Sequence, residues 1–100
     1  MNAFAVLAEP QRRSILDALI SGERPVTDLV DALGISQPNV SKHLRVLRDA
    51  GMVSVRVDAQ RRLYRVEPDA LVEIDTWLTP YRRMWSSKLD ALETHLEERP

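Results

Sequence analysis

Between residues 36 and 51 the apolar positions Val40, Leu44 and Leu47 recur at i, i+4 and i+7, the spacing of a buried stripe on one helix. Ser36 stands where a side chain caps a helix start, and Pro38 falls in the first turn, where a missing N–H costs nothing. Gly51 stands where a left-handed residue ends the helix. Upstream, Phe4–Leu7 reads as a short helix. Glu9-Pro10 opens a second, with Ile15, Leu16, Leu19 and Ile20 as its apolar face and Ser21-Gly22 as its end. Thr27 is the expected N-cap of a third helix carrying Leu29, Val30 and Leu33 and stopped by Gly34. Only Ile35 and Ser36 separate that stop from the next helix, so residues 27–50 form a helix-turn-helix.

After Gly51 the period changes from 3.6 to 2. Val53, Val55 and Val57 alternate with Ser54 and Arg56 as a half-buried strand, Asp58–Arg61 connects, and Arg62–Val66 returns. This hairpin, residues 52–66, is a wing directly behind the helix-turn-helix. From Pro68 to Glu98 the pattern is helical again, with Leu71, Ile74, Leu78, Tyr81, Trp85, Leu89, Leu92 and Leu96 spaced by threes and fours. Ala70, Trp77, Met84 and Ala91 add a second stripe at period seven. Two adjacent stripes are too wide for a helix that touches one side of a small domain. The surplus face predicts a homodimer anchored by Leu71, Ile74, Trp77, Leu78, Tyr81, Trp85, Leu89 and Leu92, although Trp77 and Trp85 also suit the core of their own subunit. Pro80 predicts a kink or short break near Leu78–Thr79. The expected fold class is mainly α with a small β-hairpin: one winged helix-turn-helix domain over residues 1–100, with a long C-terminal dimerisation helix or helix pair spanning 68–98.

One hundred residues, 44% hydrophobic and 29% charged, is ordinary globular material. No apolar run reaches membrane-spanning length, and the N-terminus lacks the basic start and long apolar stretch of a signal peptide. There are no cysteines. That removes disulfides and thiolate metal sites, and makes the reducing cytoplasm the expected location. Asn39-Val-Ser41 matches a glycosylation sequon, which has no meaning on a cytoplasmic helix.

The net charge of −1 conceals a segregation. Residues 1–35 carry −2, residues 36–66 carry +5 and residues 67–100 carry −4. The positive stretch is the helix from Ser36 plus the wing, the electrostatic footprint of a surface that meets nucleic acid. That helix offers Gln37, Asn39, Ser41, Lys42 and Arg45. Amides match adenine edges, Arg and Lys match guanine edges, and hydroxyls suit phosphates. On the wing, Arg61 and Arg62 are the expected contacts with flanking DNA, ahead of Arg56 and Arg65. The competing readings are a solvated face on an amphipathic helix and an edge hairpin kept soluble by charge.

Order and residues together resemble the ArsR/SmtB family of winged-helix repressors over essentially the whole chain. The matching pieces are Leu7–Leu16, Leu33–Gly51 with its Ser-Lys-His-Leu motif at Ser41–Leu44, and Arg61–Val66, while Trp77–Trp85 resembles the branch without metal sites. The resemblance implies a homodimer that binds an operator in double-stranded DNA and blocks transcription until released. It also implies that His43 helps grip DNA; the alternative is a helix histidine bonded to a neighbouring group. The family's sensing chemistry does not carry over. Thr27–Leu33 replaces the cysteine-containing pattern of the metal sensors, and His95 lies too far along from Asp75 to complete the zinc pattern of others. No metal and no cofactor is therefore expected, and release falls to a small apolar ligand, a partner protein or the protein's own level. The wing tip departs too, with Ala59 or Gln60 where the family often has Gly.

An enzyme is not expected, because the chain has no phosphate-binding Gly loop, nucleophile elbow or paired metal-ligand motif. A winged helix used only for protein contacts and a transcriptional activator are the remaining alternatives to a repressor.

Overall fold

A computed structural model describes residues 2–97. The elements are α1 (Ala3–Leu7), α2 (Pro10–Leu19), β1 (Arg24–Pro25), α3 (Val26–Leu33), α4 (Gln37–Asp49), β2 (Val53–Asp58), β3 (Arg61–Val66), a 3-10 turn (Pro68–Leu71) and α5 (Val72–Glu97). The expected winged helix-turn-helix is present. The last residue of the expected 68–98 segment lies outside the described residues.

Local chemistry accounts for most boundaries. The Asn2 side chain accepts the Ala5 N–H at 2.8 Å, the Glu9 carboxylate accepts the Gln11 N–H at 3.2 Å, and Ser36 Oγ accepts the Asn39 N–H at 3.4 Å. Each satisfies a donor that a helix start leaves orphaned. Gly34 and Gly51 take φ of 65° and 75°, the left-handed backbone that closes α3 and α4. Thr27 is not the cap expected of it. Pro25, in extended backbone, occupies that position and Thr27 falls inside the first turn of α3.

The reason is a strand the sequence pattern did not predict. β1 pairs antiparallel with β3, Arg24 opposite Tyr64 and Pro25 opposite Leu63, making a three-stranded sheet in the order β1-β3-β2. A proline is tolerated there because β1 is an edge and needs no outward N–H. Pro25 therefore leaves the sheet and enters α3 without an intervening loop.

The wing hairpin is tighter than expected. Asp58 and Arg61 pair with each other, leaving Ala59 and Gln60 as the turn. Ala59 adopts φ of 57°, which costs an L-residue with a Cβ about 1 kcal/mol. Ala59→Gly is therefore expected to stabilise the fold by up to about 1 kcal/mol, read as a higher denaturant midpoint at unchanged m-value. A lower midpoint would show that the turn tolerates alanine without strain.

The core is built from Ala3 and Val6 of α1, Ile15, Leu16 and Leu19 of α2, Leu29 of α3, Val40, Leu44 and Leu47 of α4, and Met52, Val53 and Tyr64 around the sheet. None of its buried members comes from α5. That helix runs unbroken for 26 residues through Pro80, so of the kink or short break expected near Leu78–Thr79 the break is absent. Pro80 cannot donate to the preceding turn. Side chains brace the adjoining turn: Thr79 Oγ1 and Arg82 Nη2 donate to the Asp75 carbonyl at 3.2 and 3.1 Å, and Arg82 Nη1 reaches the Asp75 carboxylate at 2.9 Å. The result is an elongated molecule of 65 × 27 × 22 Å.

Candidate nucleic-acid interface

The polar residues predicted to meet DNA lie on the exposed arc of α4, outside its buried stripe. Gln37 and Asn39 occupy its first turn, Ser41, Lys42 and Arg45 follow, and all five are exposed. Their backbone is held from behind by Val40, Leu44 and Leu47, which are essentially fully buried. The helix is thus fixed in rotation by the core while its outer face stays free.

Strand register sorts the wing arginines. Arg62 lies opposite Val57 and on the same sheet face as Tyr64, whereas Arg61, opposite Asp58, shares the other face with Arg65 and Arg56. Arg61 and Arg62 were expected together, and alternation along a strand parts them. Arg62 lines the cleft between the wing and α4, alongside Ser41, Arg45, Arg48, Asp49 and Tyr64. Both Arg61 and Arg62 border a smaller hollow at the start of α3 with Thr27 and Gln60. Arg61 lies 3.7 Å from Asp58.

Arg56 and Arg65 are engaged elsewhere. Arg56 makes a two-pronged contact with the Glu23 carboxylate, which holds that carboxyl below the ordinary carboxylate range. Arg65 bonds Ser54 Oγ at 2.9 Å and Glu67 at 3.2 Å, and the Glu67 carboxyl is lowered chiefly by the Ser54 hydroxyl. These two arginines brace the base of the wing.

His43 departs from its expected place on the DNA-facing side. It is only 8% exposed and packs against α2, where its Nε2 meets Gln11 Oε1 at 2.9 Å. The sequence carried the signal, because Val40, His43, Leu44 and Leu47 are i, i+3, i+4 and i+7 on the buried stripe. With Gln11 Oε1 accepting, Nε2 carries the ring proton and Nδ1 is a bare acceptor, buried without a partner among the described residues. Burial, then the Arg12 guanidinium, push the ring's pKa below its ordinary 6.5; Glu9 opposes this and Lys42 adds to it. A depressed pKa means the unfolded chain takes up a proton first as pH falls. The stability held by neutral His43 is therefore complete above pH 6.5 and lost on descending through the folded-state pKa. Denaturant midpoints should fall as pH is lowered through 6.5 and below it, and His43→Gln should flatten that slope. The Glu23 and Glu67 carboxyls act only below about 4.5. An identical slope in the variant would refute the assignment.

Arg48 is the residue that sequence reasoning missed. Ser41, Arg45 and Arg48 follow one another at i, i+4 and i+7, a polar stripe as regular as the apolar one. Among the described residues, no group of three or more His, Asp or Glu side chains is placed to hold a metal ion, and no helix is long and apolar enough to cross a membrane.

The dimer anchors expected on the C-terminal segment divide in two. Leu71 and Ile74 pack against the core of their own protomer, because the 3-10 turn leads the chain off the sheet and over it. Leu78 is half-buried, whereas Trp77, Tyr81, Trp85, Leu89 and Leu92 are exposed. Trp77 packs edge-on against Phe4 of α1, ring centroids 5.6 Å apart, and in a tilted arrangement against Tyr81 at 4.9 Å.

Comparison with known proteins bears on this arrangement. The family model described as "Bacterial regulatory protein, arsR family" matches residues 9–55, from the start of α2 into β2. The chain is 37% identical over 88 residues to an HTH-type transcriptional regulator of Mycobacterium tuberculosis, covering 88% of this chain and 79% of that protein. It is 31% identical over 77 residues to the transcriptional repressor SdpR of Bacillus subtilis, covering 77% and 86%. A crystal structure of a possible transcriptional regulator for arsenical resistance superposes with a TM-score of 0.72 at 35% identity, over 95% of this chain and 96% of that one. The exposed polar helix, the wing beside it and these relatives agree: the chain belongs to the arsR family of bacterial regulatory proteins, and it is a DNA-binding transcriptional regulator rather than an enzyme.

Proposed function

We propose that the protein is a homodimeric repressor that binds a palindromic operator, with Gln37, Asn39, Ser41, Lys42 and Arg45 in the major groove and Arg61 and Arg62 on flanking DNA. The observation that carries the dimer is α5, a 26-residue helix with no buried residue and with Trp77, Tyr81, Met84, Trp85, Leu89, Leu92 and Leu96 exposed. So large an apolar face on a soluble chain marks an interaction surface. A second copy of the same helix is its simplest complement, since a two-fold interface needs only one self-complementary patch. Two reading heads held in this way address successive major grooves, about 34–36 Å apart. Repression follows if the dimer occludes a promoter; a small apolar effector, a partner protein or the protein's own level then governs release.

The test is sedimentation of the purified protein at micromolar concentration, with selection of bound fragments from a random duplex pool. A two-chain mass and an imperfect palindrome are expected. A single-chain mass, or an asymmetric single site, overturns the dimeric reading.

A further inference from the structure

We infer that the cleft between α4 and the wing is a phosphodiester clamp, in which Arg48, with Arg45 and Arg62, grips the backbone of one DNA strand as it leaves the major groove. The inference rests on the DNA-binding reading and adds to it a residue and a contact type.

Three observations converge. The cleft, about 470 Å³, takes Ser41, Arg45 and Arg48 from one face of α4 and Arg62 from the facing side of the wing, over the buried side chains of Leu44 and Tyr64. It has room for a sugar–phosphate unit between two walls that each present guanidinium groups. Secondly, its charge is unbalanced: three arginines share the lining with a single carboxylate, Asp49. Thirdly, the arginines of this stretch are sorted. Arg56 and Arg65 are bonded to Glu23 and Glu67, whereas Arg45, Arg48 and Arg62 make no ion pair among the described residues. Converging cations that outnumber their counter-charge repel one another, and a polyanion relieves that repulsion. The planar fork of arginine matches phosphate oxygens two at a time. Arg48 stands three residues beyond Arg45, toward the C-terminal end of α4. The first turn, with Gln37 and Asn39, is left to meet base edges.

The experiment measures the dissociation constant for a random-sequence duplex and for a selected operator duplex between about 50 and 200 mM salt. It compares the wild type with Arg48→Gln, Arg62→Gln, Arg48→Lys and, as control, Arg56→Gln. Each phosphate contact releases condensed counterions, so Arg48→Gln and Arg62→Gln should each reduce the steepness of log K against log salt by about 0.9. Both should weaken operator and random duplex by a similar factor, roughly tenfold for a lost charge-assisted contact. Arg48→Lys should restore the slope, and Arg56→Gln should leave it unchanged. An unchanged slope in Arg48→Gln overturns the clamp, as does weakening confined to the operator, which would make Arg48 a base reader. A wild type that binds neither duplex would instead defeat the DNA-binding reading itself.

Discussion

Leu89→Asp is expected to yield a folded single chain whose operator affinity falls at least 100-fold while half-site affinity stays near that of the wild type. Leu89 is 65% exposed in the protomer, so the substitution removes almost no packing within its own chain. In a symmetric dimer it buries two carboxylates against an apolar surface, each costing several kcal/mol unless paired. Trp85, 50% exposed, is the companion site. Truncating a tryptophan at an interface centre commonly costs 2 kcal/mol or more, about 4 kcal/mol for both copies, which is close to a thousandfold in dimer dissociation. The fold should survive because the buried core draws on α1 to α4 and the sheet, with no buried member from α5. Sedimentation, thermal melting, and titration against whole and half operators separate these effects. A dimeric Leu89→Asp, or a monomer with undiminished operator affinity, would give α5 another role.

The reading head was legible from the sequence because each of its signals is local. Ser36, Pro38 and Gly51 bound α4 within one residue, and the alternating valines find β2. What escaped depends on contacts distant in sequence. A two-residue strand such as β1 has no periodicity to detect, and exists only because β3 offers it an edge. Its presence displaced Thr27 from the cap. Pro80 breaks an isolated helix by rule, but the side chains of Thr79 and Arg82 brace the adjoining turn.

At the site itself the missed features were periodic and could be read. His43 belongs to the buried stripe by its i+3 position after Val40, and its imidazole reads as a polar contact only when residue type is allowed to outweigh spacing. Arg48 completes the stripe begun by Ser41 and Arg45. The separation of Arg61 from Arg62 follows from the two-residue period of a strand. The pairing of Arg56 with Glu23 had no such signal, since 33 residues separate them and only the fold brings them together.

Leu44→Ala tests how far the DNA-reading face depends on the core beneath it. Leu44 is 1% exposed and packs in one cluster with Ile15 and Leu19 of α2 and Leu29 of α3. Cutting a buried leucine to alanine typically costs 2–5 kcal/mol, against about 5–15 kcal/mol for a whole domain. At a fixed protomer concentration, the urea midpoint should therefore fall by at least about an eighth, and by about a third for mid-range values, at unchanged m-value. The exposed side chains of Ser41 and Arg45 are untouched, so the folded fraction should bind operator with near wild-type affinity. Operator at about 100 times its dissociation constant should return about 2.7 kcal/mol, restoring much of the lost midpoint. Arg45→Ala should do the reverse, with little change in midpoint without DNA and a weaker gain on adding it. If Leu44→Ala leaves the unfolding free energy within about 0.5 kcal/mol of the wild type, the surface level of change, then α4 is not held by this core. The rotation that keeps its polar face exposed would then need another cause.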